Sequence, residues 1–168
     1  YNDSISLVRQ QQETSIQPQD LQNVTADQLV DISDSAAVEK FVNAHGDFKS
    51  AVFGEEQYFV LENDLVEITL SNKGGKVVSA RLKHYLSQDS LPVELFNEEE
   101  ANFSFTMALR NNHIVNTAAL YFDPLSEIQT DKNGNQQITF RLQSETDAWF
   151  DFTYSLPADD YMLDFVVS

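Results

Sequence analysis

The 168-residue sequence contains no cysteine, so neither a disulfide framework nor a thiolate metal site is open to it. That absence leaves the compartment undecided, because disulfides are permitted rather than required outside the cytosol. Basic residues are scarce: 10 Lys and Arg stand against 27 Asp and Glu, a formal charge of -17. Such a surface repels nucleic-acid phosphates and anionic lipid headgroups, and no basic stripe offsets it, so nucleic-acid binding is excluded. No window approaches the roughly 20 apolar residues that span a bilayer, and no charged-apolar-small signal pattern opens the chain. At this length one domain can bury roughly two-thirds of its unfolded surface without a covalent staple.

What is present divides into two chemistries. Residues 1–32 are rich in Gln, Ser and Asp, with no glycine and no aromatic after Tyr1. A stretch such as QQQETSIQPQDLQNVTADQ cannot bury enough apolar surface to offset its conformational entropy, and it reads as a flexible linker. From residue 33 onward the pattern is that of a folded domain. Ala37, Val38, Phe41 and Val42 mark a short helix over about 35–45, with Ser33, Asp34 or Ser35 as its cap and Gly46 as its stop.

After about residue 56 the apolar residues alternate with period two, as in strands with one wet face. The runs are Val66, Ile68, Leu70; Val78, Ala80, Leu82; Phe103, Phe105, Met107, Leu109; Ile138, Phe140, Leu142; Ala148, Phe150, Phe152, Tyr154; and Tyr161, Leu163, Phe165, Val167. Turn chemistry separates them at ENDL (62–65), SNKGGK (71–76), DKNGNQ (131–136) and LPADD (156–160). Asn133-Gly134 predicts a type I′ hairpin. The fold class expected is mainly β, an antiparallel β-sandwich with a short N-terminal helix and a core rich in the chain's 12 phenylalanines.

Catalytic and metal constellations are hard to assemble. Gly74-Gly75 leads into a strand pattern rather than a helix, so it reads as a hairpin turn and not as a phosphate cradle, despite Lys73 and Lys76 beside it. His45, His84 and His113 show no metal-ligand spacing, no G-x-S-x-G elbow occurs, and Glu98-Glu99-Glu100 with Glu94 reads as a solvated loop. No cofactor and no catalytic residue is assigned. The aromatic run WFDFTY, beginning at Trp149, suits a core strand better than a sugar platform.

The run YFVLENDLVEITLSNKGGKVVSARLKHY (58–85), followed by PVELF (92–96), resembles the large periplasmic domain of the YidC membrane protein insertases of Gram-negative bacteria. Matching positions are Glu62, Asn63, Gly74, Gly75, Leu82 and Tyr85, then Leu95 and Phe96; TYSLPADDYMLDFVV (153–167) resembles a later part of that domain. The resemblance implies a β-supersandwich related to galactose mutarotases, in the periplasm and tethered to the inner membrane. It also implies a non-catalytic module of the insertase, which contacts Sec translocon subunits or nascent membrane proteins. Asn63, Gly74, Gly75, Leu82, Tyr85 and Phe96 are then structural motif residues rather than a site.

A parent sequence is expected on both sides: a transmembrane helix before the 1–32 linker, and further strands beyond the 33–168 sandwich, whose unpaired edge would favour self-association. Two other functions are weighed. A mutarotase-like sugar epimerase would need His84 or His113 paired with a glutamate. A carbohydrate-binding or peptide-binding sandwich would use a free sheet edge or cleft.

Overall fold

The computed structural model describes residues 35–101, 103–108 and 114–168. The first element is helix α1 (Ser35–Ala44), with Val38, Phe41 and Val42 on its partly buried face. Its expected caps Ser33 and Asp34 lie outside the described residues, as does the 1–32 segment. Gly46, at φ +55, ends it and opens a 3-10 helix (Gly46–Val52) that pattern reading does not anticipate. That helix buries Phe48 against the ring of Phe150, with centroids 5.9 Å apart.

Four antiparallel strands form the first sheet in the order β1 (Tyr58–Glu62), β2 (Val66–Ser71), β3 (Lys76–Leu86), β4 (Pro92–Phe96). A two-stranded ribbon follows, β5 (Thr106–Ala108) with β6 (Ile114–Asn116). The second sheet is built from β7 (Asp123–Pro124), β8 (Gln129–Thr130), β9 (Gln136–Gln143), β10 (Trp149–Leu156) and β11 (Asp164–Val167). Its order is β11-β10-β9-β7, with β8 also on β9. The two sheets enclose one core, so the chain is an antiparallel β-sandwich.

The period-two residues form that core. Val66, Ile68 and Leu70 of β2 are buried, as are Ile138, Phe140 and Leu142 of β9 and Phe152, Tyr154 and Leu156 of β10. Each such side chain contributes roughly 1.5–3 kcal/mol relative to exposure, so these three strands rather than the helix hold the fold together. Phe59 of β1 meets Phe140 edge-to-face at 5.1 Å across the sheets, and Tyr154 stacks on Phe165 at 4.7 Å.

The Val78, Ala80, Leu82 run is borne out, with Val78 and Ala80 buried and Leu82 partly buried. A bulge, where the register shifts between Thr69 and Leu70, adds Val77 to the residues packed against the core cluster. Three expectations need correction. The run from Tyr161 becomes a strand only at Asp164, because the preceding loop is held by side chains of the first sheet, as shown below. Phe103 and Phe105 precede β5 rather than lie in it, since Phe105 bonds Thr117 through its N–H and its carbonyl. The hairpin at Asn133-Gly134 is not a two-residue turn. Only Gly134 has positive φ, +86, whereas a type I′ turn needs it at both positions. Asp131 Oδ1 instead accepts from the N–H groups of Asn133 and Asn135, which selects a wider loop closed by the Gly134 N–H on the Asp131 carbonyl.

Candidate functional site

The motif residues lie where the two sheets are tied together. Asn63, in the β1–β2 turn, accepts from the N–H groups of Leu65 and Val66 through Oδ1. Its Nδ2 donates to the carbonyls of Pro157 and Asp160 at 2.7 Å each, so one amide shapes its own turn and anchors the β10–β11 loop. Tyr85 reaches the same loop from β3, its ring 6.3 Å from that of Tyr161. Slight desolvation and the neighbouring Tyr85 push the Tyr161 phenol above its ordinary value. The two separated stretches of family resemblance thus meet in space.

Gly74 and Gly75 stand at the opposite end of β2 with φ of +79 and +59. Their N–H groups are committed, Gly74 to the Leu120 carbonyl at 2.8 Å and Gly75 to the Asn72 carbonyl at 3.3 Å. The segment that follows is β3, not a helix. No anion cradle is available there, and the pair is a hairpin turn. The Gly75 carbonyl accepts from the buried Tyr154 hydroxyl, while a Cβ on Gly75 would come within 2.9 Å of the Phe152 ring. Burial pushes the Tyr154 phenol well above the ordinary tyrosine value. Lys73 is no free edge charge, since its ammonium lies over the Tyr121 ring, 5.8 Å from the centroid.

Leu82 and Phe96 pack partly buried against the core from β3 and β4. Phe96 also lines a site that sequence reasoning missed, an apolar groove of about 340 Å³. Val77, Phe96, Ala101 and Phe103 line it together with Tyr154, Leu163 and Phe165, and Glu100 supplies the one charged side chain in the lining. Phe103, Tyr154, Leu163 and Phe165 stood in alternating runs and Phe96 in the family motif, whereas Val77 and Ala101 were not singled out. Which of these residues come together around a groove is a tertiary property that periodicity does not carry.

Glu98, Glu99 and Glu100 are exposed, as expected of a solvated loop. The loop is nonetheless ordered by Asn97, whose Oδ1 accepts from the Glu99 and Glu100 N–H groups, and by the Tyr58 hydroxyl donating to Glu98 at 3.0 Å. Partial desolvation, that hydrogen bond and the nearby Glu56 charge push the Tyr58 phenol up to about 12.

Of the two described histidines, neither is brought together with a carboxylate among the described residues. His45 Nδ1 lies 2.8 Å from the Phe41 carbonyl, its ring against Phe41. His84 is exposed on β3 and lines neither the groove nor the more polar recess of about 470 Å³ beside Tyr121 and Asn72. His113 lies outside the described residues. Of the WFDFTY strand, Phe152 and Tyr154 are core, whereas Trp149 is exposed and carries the Arg141 guanidinium 4.9 Å from its ring. Arg141 also binds Asp151 with two 2.7 Å hydrogen bonds. Among the described residues no group of three or more His, Asp or Glu is placed to hold a metal ion, and no helix is long and apolar enough to cross a membrane.

Residues 59–168 match the family model for the YidC periplasmic domain. A membrane protein insertase YidC from Parabacteroides distasonis is 36% identical over 168 residues, covering 99% of this chain and 26% of the relative. One from Bacteroides fragilis is 35% identical over 167 residues, 99% of this chain and 24% of its own length. One from Porphyromonas gingivalis is 33% identical over 126 residues, 75% of this chain and 19% of its own length. The chain thus spans about a quarter or less of the curated relatives it matches. No solved structure matches. A sandwich whose sheets are tied by Asn63 and Gly75, with a family match running through both ties, places the chain in the YidC periplasmic domain family.

Proposed function

We propose that this chain is the periplasmic, non-catalytic domain of a membrane protein insertase, tethered to the inner membrane. Through it the insertase contacts Sec translocon subunits or segments of nascent membrane proteins. The observation that carries this reading is the alignment of nearly the whole chain with proteins named membrane protein insertase YidC. The geometry is in keeping with it. The motif residues are spent on joining two sheets, and what remains exposed is an apolar groove and strand edges, features that suit polypeptide contact better than chemistry on a small molecule.

The test uses the full-length insertase carrying this chain, with a photo-cross-linking residue placed singly at Leu95, Trp149 or Val167, all exposed. During synthesis of an inner-membrane protein, at least one position should cross-link to the nascent chain or to a translocon subunit. Normal insertion with no cross-link from any position would refute the proposed contacts.

A further inference from the structure

Asn133-Gly134 is the one Asn-Gly step in the sequence, and both residues are exposed in the loop between β8 and β9. A following glycine leaves an asparagine open to attack by the next backbone nitrogen, because no Cβ crowds that nitrogen or restricts its approach. The Asn133 side-chain amide makes no hydrogen bond among the described residues. The loop around it holds the reaction back. The Gly134 N–H donates to the Asp131 carbonyl at 3.0 Å and the Asn133 N–H to Asp131 Oδ1 at 2.8 Å, which fixes the peptide that would have to turn.

Three other asparagines show the contrast. Asn63 spends both amide atoms on its turn and the β10–β11 loop, and Asn72 spends both on the Gln57 N–H and the Glu55 carbonyl. Asn135 donates to Asp131 Oδ2 and accepts from the Ala158 N–H, and none of the three precedes glycine.

We propose that Asn133 is a site of spontaneous deamidation, restrained by the hydrogen bonds that Asp131 makes across the loop. When the Gly134 N–H leaves the Asp131 carbonyl, its nitrogen gives a proton to solvent and bonds to Asn133 Cγ. The Cγ–Nδ2 bond breaks, and the amide nitrogen takes up a proton and departs as ammonia. The five-membered imide then adds one water. Opening at Cγ gives aspartate, whereas opening at the backbone carbonyl gives isoaspartate, whose main chain runs through Cβ. No oxidant or reductant is consumed. Either product puts a second carboxylate beside Asp131, and isoaspartate lengthens the backbone between Asp131 and Asn135. Because Asn135 Oδ1 holds the Ala158 N–H at 3.0 Å, the change reaches the β10–β11 loop that Asn63 also anchors.

The test ages the full-length insertase carrying this chain in mildly alkaline buffer, with peptide mass mapping and enzymatic labelling of isoaspartate. Asn133 should gain one mass unit while Asn63, Asn72 and Asn135 stay intact. A synthetic peptide of residues 129–137, which lacks the folded loop, should react at least tenfold faster, and Asp131→Ala should speed the full-length protein at least threefold. Amide exchange at Ala158 should rise as the wild type ages. It should stay level in Asn133→Gln, whose longer side chain would have to close a six-membered ring. Intact Asn133 in both the aged wild type and Asp131→Ala overturns the site. A peptide that reacts no faster than the folded protein overturns the restraint, as does an unchanged rate in Asp131→Ala.

Discussion

Gly75 illustrates how one residue type can be required twice at one position. Its φ of +59 disfavours any side chain by roughly 1–2 kcal/mol. A Cβ there would press on Phe152, a core ring with little room to give, which adds about 1–3 kcal/mol. Gly75→Ala should therefore cost about 2–5 kcal/mol in urea unfolding. Gly74→Ala, whose new Cβ would meet Ala118 at an ordinary 3.4 Å, should cost only about 1–2 kcal/mol. Equal costs would show that φ alone governs the turn.

Tyr154→Phe keeps the packing but leaves the Gly75 carbonyl without its donor in the core, a loss of about 1–3 kcal/mol. The phenol's raised pKa gives a sign to the pH dependence. The folded state holds the proton more tightly than the unfolded chain, so the stabilisation is fully present below pH ~10, the unfolded tyrosine value, and is lost as pH rises toward the folded one. Alkaline unfolding above pH ~10 should be shallower in Tyr154→Phe than in the wild type. Superimposable curves would count against the buried hydrogen bond.

Asn63 sharpens the same argument about polar groups. Asn63→Asp keeps the acceptor for Leu65 and Val66 but loses the donor to Pro157 and Asp160, so its turn survives and the anchor fails. Loop 157–162 should then gain amide exchange while β1 and β2 stay protected, a pattern that a general loss of stability would not produce.

At the scale of elements, what could be read in advance follows a physical divide. Strands β2, β9 and β10 were legible because each shows one face to the core, and alternation records that. Strands β1 and β4 stood only inside the stretches of family resemblance, because as outer strands of the first sheet they have weaker burial contrast, with Val60 and Leu95 exposed. The short β7 and β8 leave no periodic trace at two residues each. Among the motif residues, the hairpin at Gly74-Gly75 could be argued from the strand patterns around it. That Asn63 and Tyr85 meet the 157–161 loop could not, since nothing local in the sequence encodes a partner nearly a hundred residues away.

The 131–135 loop shows the cost of reading a dipeptide alone. Asn133-Gly134 suggests a two-residue turn only if the preceding Asp131 is ignored. Slight desolvation opposes it, but hydrogen bonds from Asn133, Asn135 and Gly134 hold the Asp131 carboxyl below its ordinary value. Its contribution is present above the unfolded pKa near 4 and is lost as pH falls through the lower folded value. In an acid titration followed by NMR, the Asn133 and Asn135 amides should report a midpoint below that of a free aspartate; a midpoint at the free value would remove the side chain from the loop's design.

For the molecule as a whole, the imbalance of charge acts on stability as well as on partners. Ten Lys and Arg cannot pair with most of the 27 carboxylates, and among the described residues four ion pairs form, Lys49–Glu145, Arg81–Glu67, Lys83–Glu62 and Arg141–Asp151. Exposed pairs of this kind contribute only about 0–1 kcal/mol each, so repulsion among the remainder dominates the electrostatics. Raising NaCl from about 10 mM to about 150 mM shortens the screening length from roughly 30 Å to roughly 8 Å. The urea midpoint should rise with it. A falling midpoint would mean that the ion pairs outweigh the repulsion.

The ties at the two ends of β2 also set an order of events in time. Gly75 waits for Tyr154, 79 residues later, and Asn63 for Asp160, 97 residues later. At roughly 5–20 residues per second of synthesis, the first sheet is made about 5–20 s before the second can close over it. Until then Leu61, Ile68 and Leu70 face outward on a four-stranded layer with nothing across from it. For that interval the emerging chain carries an apolar sheet face with no second layer over it, so the slow step in forming the sandwich is the arrival of residues, not the pairing of strands.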